Sequence, residues 1–161
     1  MSRFSFLLLG VGLLLATPSL AQRVAVLKFP ALQQRLARPG DTTYVVNFWA
    51  TWCGPCVQEM AGFEKVRAAQ AGQKVKFLLV SLDYAALLDK KVKPFVQKHG
   101  LKSEVILLDE PDLNSWLQKV DGQWSGSIPF TLIYNNQAKK RATFEHPLTA
   151  AELTAELRKF L

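Results

Sequence analysis

Both cysteines of this chain fall inside one pentapeptide, Trp52-Cys53-Gly54-Pro55-Cys56, at the point where an apolar strand pattern gives way to a helical one. A cysteine just ahead of a helix faces the unpaired N–H groups of the first turn and the positive end of the dipole, which favour thiolate over thiol. A second cysteine three positions on lies one turn along, within reach of the first sulfur. Pro55 falls in the first turn, where a missing N–H costs little. The layout suits a dithiol that opens and closes a disulfide. Three other uses compete with it. A purely structural disulfide would close so short a loop that chain entropy values it at roughly 2 kcal/mol. A zinc site would need further ligands, and the only histidines, His99 and His146, are far apart with no metal-ligand spacing. Two idle reduced thiols would belong in a reducing compartment, against which the N-terminus argues.

Residues 1–21 read as a secretory signal peptide: Arg3 gives a positive start, residues 6–16 are apolar apart from two glycines, and Ser19-Leu20-Ala21 offers small residues at a cleavage site. The apolar stretch is short against the ~20 residues of a spanning helix, so cleavage is favoured over an uncleaved anchor. No cysteine follows it to carry a lipid. The expected product is a periplasmic or otherwise extracytoplasmic protein with no integral membrane segment, in a space where cysteine pairs oxidise unless kept reduced. Residues 22–161 make 140 of the 161 residues, enough for one domain with its own core. The net charge of +7 is spread over lysines read as solvated helix ends and turns. No aromatic interleaving or motif points to nucleic acid.

Along the domain, residues 24–29 predict a short strand and residues 30–37 a helix with Leu32 and Leu36 inward. Residues 43–49 and 75–81 predict buried central strands. Between them the cysteine-led helix is expected to turn Val57, Met60, Ala61 and Phe63 inward and stop near Gly72. Residues 94–99 predict a helix and 104–108 a strand; Leu113, Trp116, Leu117 and Val120 carry the inner stripe of another helix. Residues 130–134 and 142–145 predict an antiparallel hairpin through Asn135-Asn136, and Thr149 with Glu152 a capping box opening the last helix. Such alternation gives an α/β fold: a mainly parallel sheet with helices on both faces and an antiparallel edge.

With these elements in place, the block from Asn47 to Cys56, followed by Glu59 and Met60, resembles the active site of the thioredoxin superfamily, in particular its secreted TlpA/ResA-like branch. Val80-Ser81-Leu82-Asp83 resembles that branch's second central strand, residues 84–119 its extra helix and strand insertion, and Ile128-Pro129-Phe130-Thr131 its cis-proline loop. The resemblance implies a thioredoxin fold over residues 22–161, with a central mixed sheet flanked by helices and an extra αβ insertion. It further implies that Cys53 attacks, that Cys56 resolves, and that Trp52, Gly54, Pro55, Ile128 and a cis Pro129 meet the substrate segment. No cofactor is called for. Partners would be client proteins with cysteines or disulfides, among them those of cytochrome c biogenesis, and a membrane electron donor.

Departures qualify the transfer. Asn47 stands where cytoplasmic thioredoxins carry a buried aspartate, so another group must take the proton from Cys56. Glu59 is the candidate, with a helix-dipole role as its alternative. Thr51-Trp52-Cys53 has the wrong spacing for a peroxiredoxin. Gly-Pro between the cysteines, with no histidine there, matches thioredoxin, a reductant at about −270 mV, rather than an oxidant near −120 mV. A thiol-disulfide reductase is therefore expected, and a non-catalytic binding module stapled by a structural disulfide is the alternative.

Overall fold

The computed structural model describes residues 23–161, so the proposed signal peptide lies outside the described residues. The β-branched and aromatic run Thr43–Trp49 forms β2, at the heart of a six-stranded sheet ordered β1-β4-β3-β2-β5-β6. The others are β1 (Ala25–Leu27), β3 (Val75–Ser81), β4 (Glu104–Leu108), β5 (Phe130–Asn135) and β6 (Lys140–Phe144). The first four run parallel, while β5 pairs antiparallel with β2 and with β6. This is the mixed sheet expected, and the inserted β4 is the strand that separates β1 from β3.

Side-chain alternation along β2 sorts the core into two layers. Val45 and Trp49 face the layer closed by α2 (Gly54–Ala69), α3 (Lys93–Lys98) and α5 (Ala150–Arg158). Val46 and Phe48 face the layer closed by α1 (Phe29–Leu36) and α4 (Leu117–Val120). The second layer is aromatic: Phe48 lies 4.8 Å from Trp124 and 6.1 Å from both Trp116 and Phe130, measured between ring centres. The Thr149 hydroxyl and the Glu152 carboxylate close the expected capping box on α5.

Two expectations change, and one connection proves more regular than the sequence suggested. Ala61 is exposed, and Glu59 takes its place among the buried positions of α2. The helix drawn through Leu113 to Val120 breaks: Leu113–Ser115 is a single tight turn with Leu113 41% exposed, and α4 begins only at Leu117. The break turns Trp116 inward, where its indole N–H donates to the Glu110 carbonyl at 3.0 Å and its ring stacks on Phe29. The connection after β3 is also helical, with turns at Ala85–Leu87 and Leu88–Val92 running directly into α3.

Candidate active site

The last residue of β2, Trp49, hands the chain to a turn in which the Cys53 N–H donates to the Ala50 carbonyl at 3.1 Å. That turn is fixed by Asp83, only 2% exposed. Its carboxylate accepts from the Thr51 N–H at 2.9 Å, the Thr51 hydroxyl at 2.6 Å and the Ser81 hydroxyl at 2.8 Å. A buried carboxylate so surrounded by donors is compensated, and it locks the start of the turn to the end of β3. The chain then enters α2 with Cys53 as the residue capping its N-terminus.

Cys53 and Cys56 are joined in a disulfide. Cys53 Sγ also accepts the Cys56 N–H at 3.3 Å, so the sulfur sits among the orphan donors of the first turn. Cys56 is fully buried; Cys53 lies at the surface end of the pair, next to the exposed Gly54 and Pro55. The positive helix end lowers the cost of a thiolate at Cys53 when the bond is open.

Opposite the sulfurs, the Ile128–Pro129 peptide is cis, and the Ile128 carbonyl oxygen lies 3.7 Å from Cys53 Sγ. The loop before it is clamped from β6's far end by Glu145. That carboxylate accepts from the Ser125 N–H at 3.1 Å, the Ser127 N–H at 3.1 Å and the Ser125 hydroxyl. These donors, the Ser125 hydroxyl foremost, hold the Glu145 carboxyl below its ordinary range. Between the serines, Gly126 has φ +99°, a conformation that penalises any side chain, and a Cβ there would meet Leu117 at 3.3 Å.

One turn past Cys56 along α2, Glu59 joins Asn47 of β2 in a buried polar pair. Asn47 Nδ2 donates to Glu59 Oε1 at 2.8 Å and to Thr131 Oγ1 at 3.1 Å, and Glu59 Oε2 accepts the Leu148 N–H at 2.8 Å. Glu59 is therefore not a solvated glutamate complementing the dipole of the first turn: it is 6% exposed, one turn past Cys56. Burial raises its pKa to about 7, against the opposing pull of the Leu148 and Asn47 hydrogen bonds. A group poised there can accept and return a proton near neutral pH. Among the described residues Asn47 Oδ1 has no hydrogen-bond partner, leaving an acceptor for the proton of a neutral Glu59 after an amide flip.

Trp49 is wholly buried against Phe95, whereas Trp52 stands 68% exposed beside Cys53. Trp52 is the wall between two grooves. One, of about 350 Å³, is lined by Tyr84, Leu113 and Ile128 with Asp109 and Glu110; the other, of about 380 Å³, by Leu87, Pro94 and Phe95 with Lys90, Lys91 and Lys98. Among the described residues no cluster of three or more His, Cys, Asp or Glu is placed to hold a metal ion. Nor is any described helix long and apolar enough to cross a membrane.

The Redoxin family pattern matches residues 33–133, a stretch that runs from α1 through the cysteines to β5. The chain belongs to the Redoxin family. Sporulation thiol-disulfide oxidoreductase A of Bacillus subtilis is 24% identical over 68% of this chain, and thiol-disulfide oxidoreductase ResA of Geobacillus thermodenitrificans 25% over 70%. These matches span 62% and 59% of the respective relatives. The thioredoxin-related protein of Neisseria meningitidis serogroup B superposes with a TM-score of 0.63 at 24% identity, over 78% of this chain and 88% of that one. This redoxin chain is thus a TlpA/ResA-like member of the thioredoxin superfamily. The structure brings the sequence candidates Cys53, Cys56, Trp52, Gly54, Pro55, Ile128 and Pro129 to one end of the sheet, with Glu59 one turn along α2 from Cys56. Sequence reasoning missed Asp83 and Glu145 as supports of the two loops. The Ser-Gly-Ser run before Ile128 was the one available sign that a carboxylate would be needed there.

Proposed function

We propose that this protein is an extracytoplasmic thiol-disulfide oxidoreductase that reduces disulfides in client proteins. The observation that carries the reading is the Cys53–Cys56 disulfide at the head of α2, with Cys53 Sγ set against the Ile128 carbonyl of the cis-proline loop. In the reduced protein the Cys53 thiolate attacks one sulfur of a client disulfide. A Cys53–client bond forms and the other client sulfur leaves as a thiolate. Cys56 then loses its proton to Glu59 and attacks Cys53 Sγ, closing the Cys53–Cys56 bond and releasing the second client thiolate. Two electrons pass to the client, and a membrane electron donor restores the dithiol. The segment being reduced lies along Ile128 and Pro129, with Trp52, Gly54 and Pro55 flanking the sulfur.

The names of the relatives support the class of reaction, and the Gly-Pro dipeptide supports the reducing direction. The secretory pattern of residues 1–21 supports the compartment, and cysteine-bearing apocytochrome c is one client class within the reading. Insulin reduction with dithiothreitol tests it: the protein should turn over, and Cys53→Ala should abolish turnover. No turnover in the parent protein would leave a binding module stapled by its disulfide. Cys56→Ala should accumulate the mixed disulfide, whose partner mass spectrometry would identify.

A further inference from the structure

Of the two grooves that Trp52 separates, the one on the α3 side has an unbalanced charge. Lys90, Lys91 and Lys98 are exposed along it, and among the described residues no carboxylate pairs with any of them. The one acidic side chain of the segment, Asp89, is engaged by Lys93 at 2.6 Å. The floor is apolar, made by Leu87, Pro94 and Phe95, and Phe95 is itself packed on Trp49 at 5.0 Å between rings. Thr51 and Trp52, the two residues before Cys53, form the wall nearest the sulfur. Across Trp52 no such excess of positive charge faces the groove: its two carboxylates are already engaged, Asp109 by Lys28 at 2.9 Å and Glu110 by the Phe29 N–H at 3.3 Å. A chain segment reaching Cys53 therefore meets a positive field on one side only.

We propose that the Lys90–Lys91–Lys98 groove receives an acidic protein segment flanking the reacting cysteine, so that the protein selects partners with carboxylates beside that cysteine. The inference rests on the thiol-disulfide reading and deepens it by naming the chemistry of the partner. Clustered like charges beside a reactive centre raise the encounter rate of opposite charge, with an effect that salt removes. An apolar floor in a concave groove suits the side chains of an extended segment. A flat anionic bilayer would reach the lysines and leave that floor empty.

The test uses Cys56→Ala protein, which stops at the mixed disulfide, and short peptides whose single cysteine is capped by thionitrobenzoate. Cys53 attacks the peptide sulfur, the Cys53–peptide bond forms, and coloured thionitrobenzoate leaves. Peptides flanked by Asp and Glu, by Ser, or by Lys span the charge from negative through neutral to positive. At low ionic strength the acidic peptide should react about tenfold faster than the lysine peptide, and the ratio should fall towards one as the Debye length shrinks from ~30 Å to ~8 Å. Lys90→Glu/Lys91→Glu/Lys98→Glu, whose changes are all at the surface, should reverse the order and leave the serine peptide within about twofold. Equal rates for the three peptides, or a preference unchanged in the triple variant, would overturn the proposal. So would loss of peptide preference combined with lysine-dependent sedimentation on phosphatidylserine vesicles, which would assign the groove to membrane. Failure of every peptide to react, the serine one included, would instead sink the thiol-disulfide reading itself.

Discussion

The two faces of the sheet are built from the same six strands and do opposite things. The α1–α4 face is apolar throughout its core, with Phe29, Phe48, Trp116, Trp124 and Phe130 stacked or tilted against one another. The α2–α5 face has the same density of Val, Leu and Phe, yet admits Asn47, Glu59, Thr131 and the two cysteines. Adjacent residues of one strand, Asn47 and Phe48, take part in the two arrangements. Buried polar groups lower stability unless fully paired, whereas buried aromatic rings raise it. The cost of the site's buried polar groups is thus offset by a scaffold that lies on the other side of the same sheet.

Breaking the aromatic face should give the largest effect. Trp116→Ala should cost about 3–5 kcal/mol of unfolding free energy, read as a lower urea midpoint, while disulfide exchange per folded molecule stays unchanged. Loss of exchange in the folded fraction would mean that the faces are not independent.

Glu59→Gln sharpens the other side of the comparison. Folded Glu59 keeps its proton up to about pH 7, whereas in the unfolded chain it ionises near 4.5, so its contribution is complete below the lower value and lost as pH rises through the upper one. The parent should lose roughly 3 kcal/mol of stability across that window that the Glu59→Gln protein does not lose. Urea unfolding at pH 4 and pH 8 measures it, and equal pH slopes would place Glu59 in the ordinary carboxylate range. Turnover should also fall in the Gln variant, with the loss confined to the step that consumes the mixed disulfide.

A smaller effect is expected at the loop clamp. Glu145→Ala leaves two backbone N–H groups without their acceptor, a cost of about 1–2 kcal/mol because the site is near water. Client binding should weaken several-fold as KM with little change in kcat, since the Cys53 cap is untouched. An unaltered KM would show that the cis-proline loop holds its place without the carboxylate. Trp52→Ala should be the mildest, within about 0.5 kcal/mol of the parent in stability, because the ring is exposed. Its effect should appear only with protein clients, not with small thiols.

Much of this was legible in the sequence where the signal is local. Thr43–Trp49, Val75–Ser81 and Glu104–Leu108 follow from runs rich in apolar and β-branched residues, and Thr149 with Glu152 from cap spacing. The cysteine pair announced itself for the same reason. What the sequence hid are pairings across distance: Asp83 reaching Thr51, Glu145 reaching Ser125, and Glu59 reaching Leu148. A glutamate on a helix reads as solvent-facing until the strand beneath it is known to offer Asn47. Likewise the period through Leu113 and Trp116 is helical on paper, but the hydrogen bond from the Trp116 indole to Glu110 outweighs a continuous helix.

The place of β1 has a consequence for how the chain reaches this state. Ala25 pairs with Ile106, so β1 finds its one neighbour among the described strands only when the later half of the sequence is present. A sheet closed by such distant partners cannot zip up from a local hairpin at that edge, and belongs to the slower-folding topologies. Until β1 arrives, β4 is a bare hydrophobic edge, able to recruit a strand from another molecule. Ala25–Leu27, exposed or half-buried along their length, thus serve less as core than as the cover of the β4 edge.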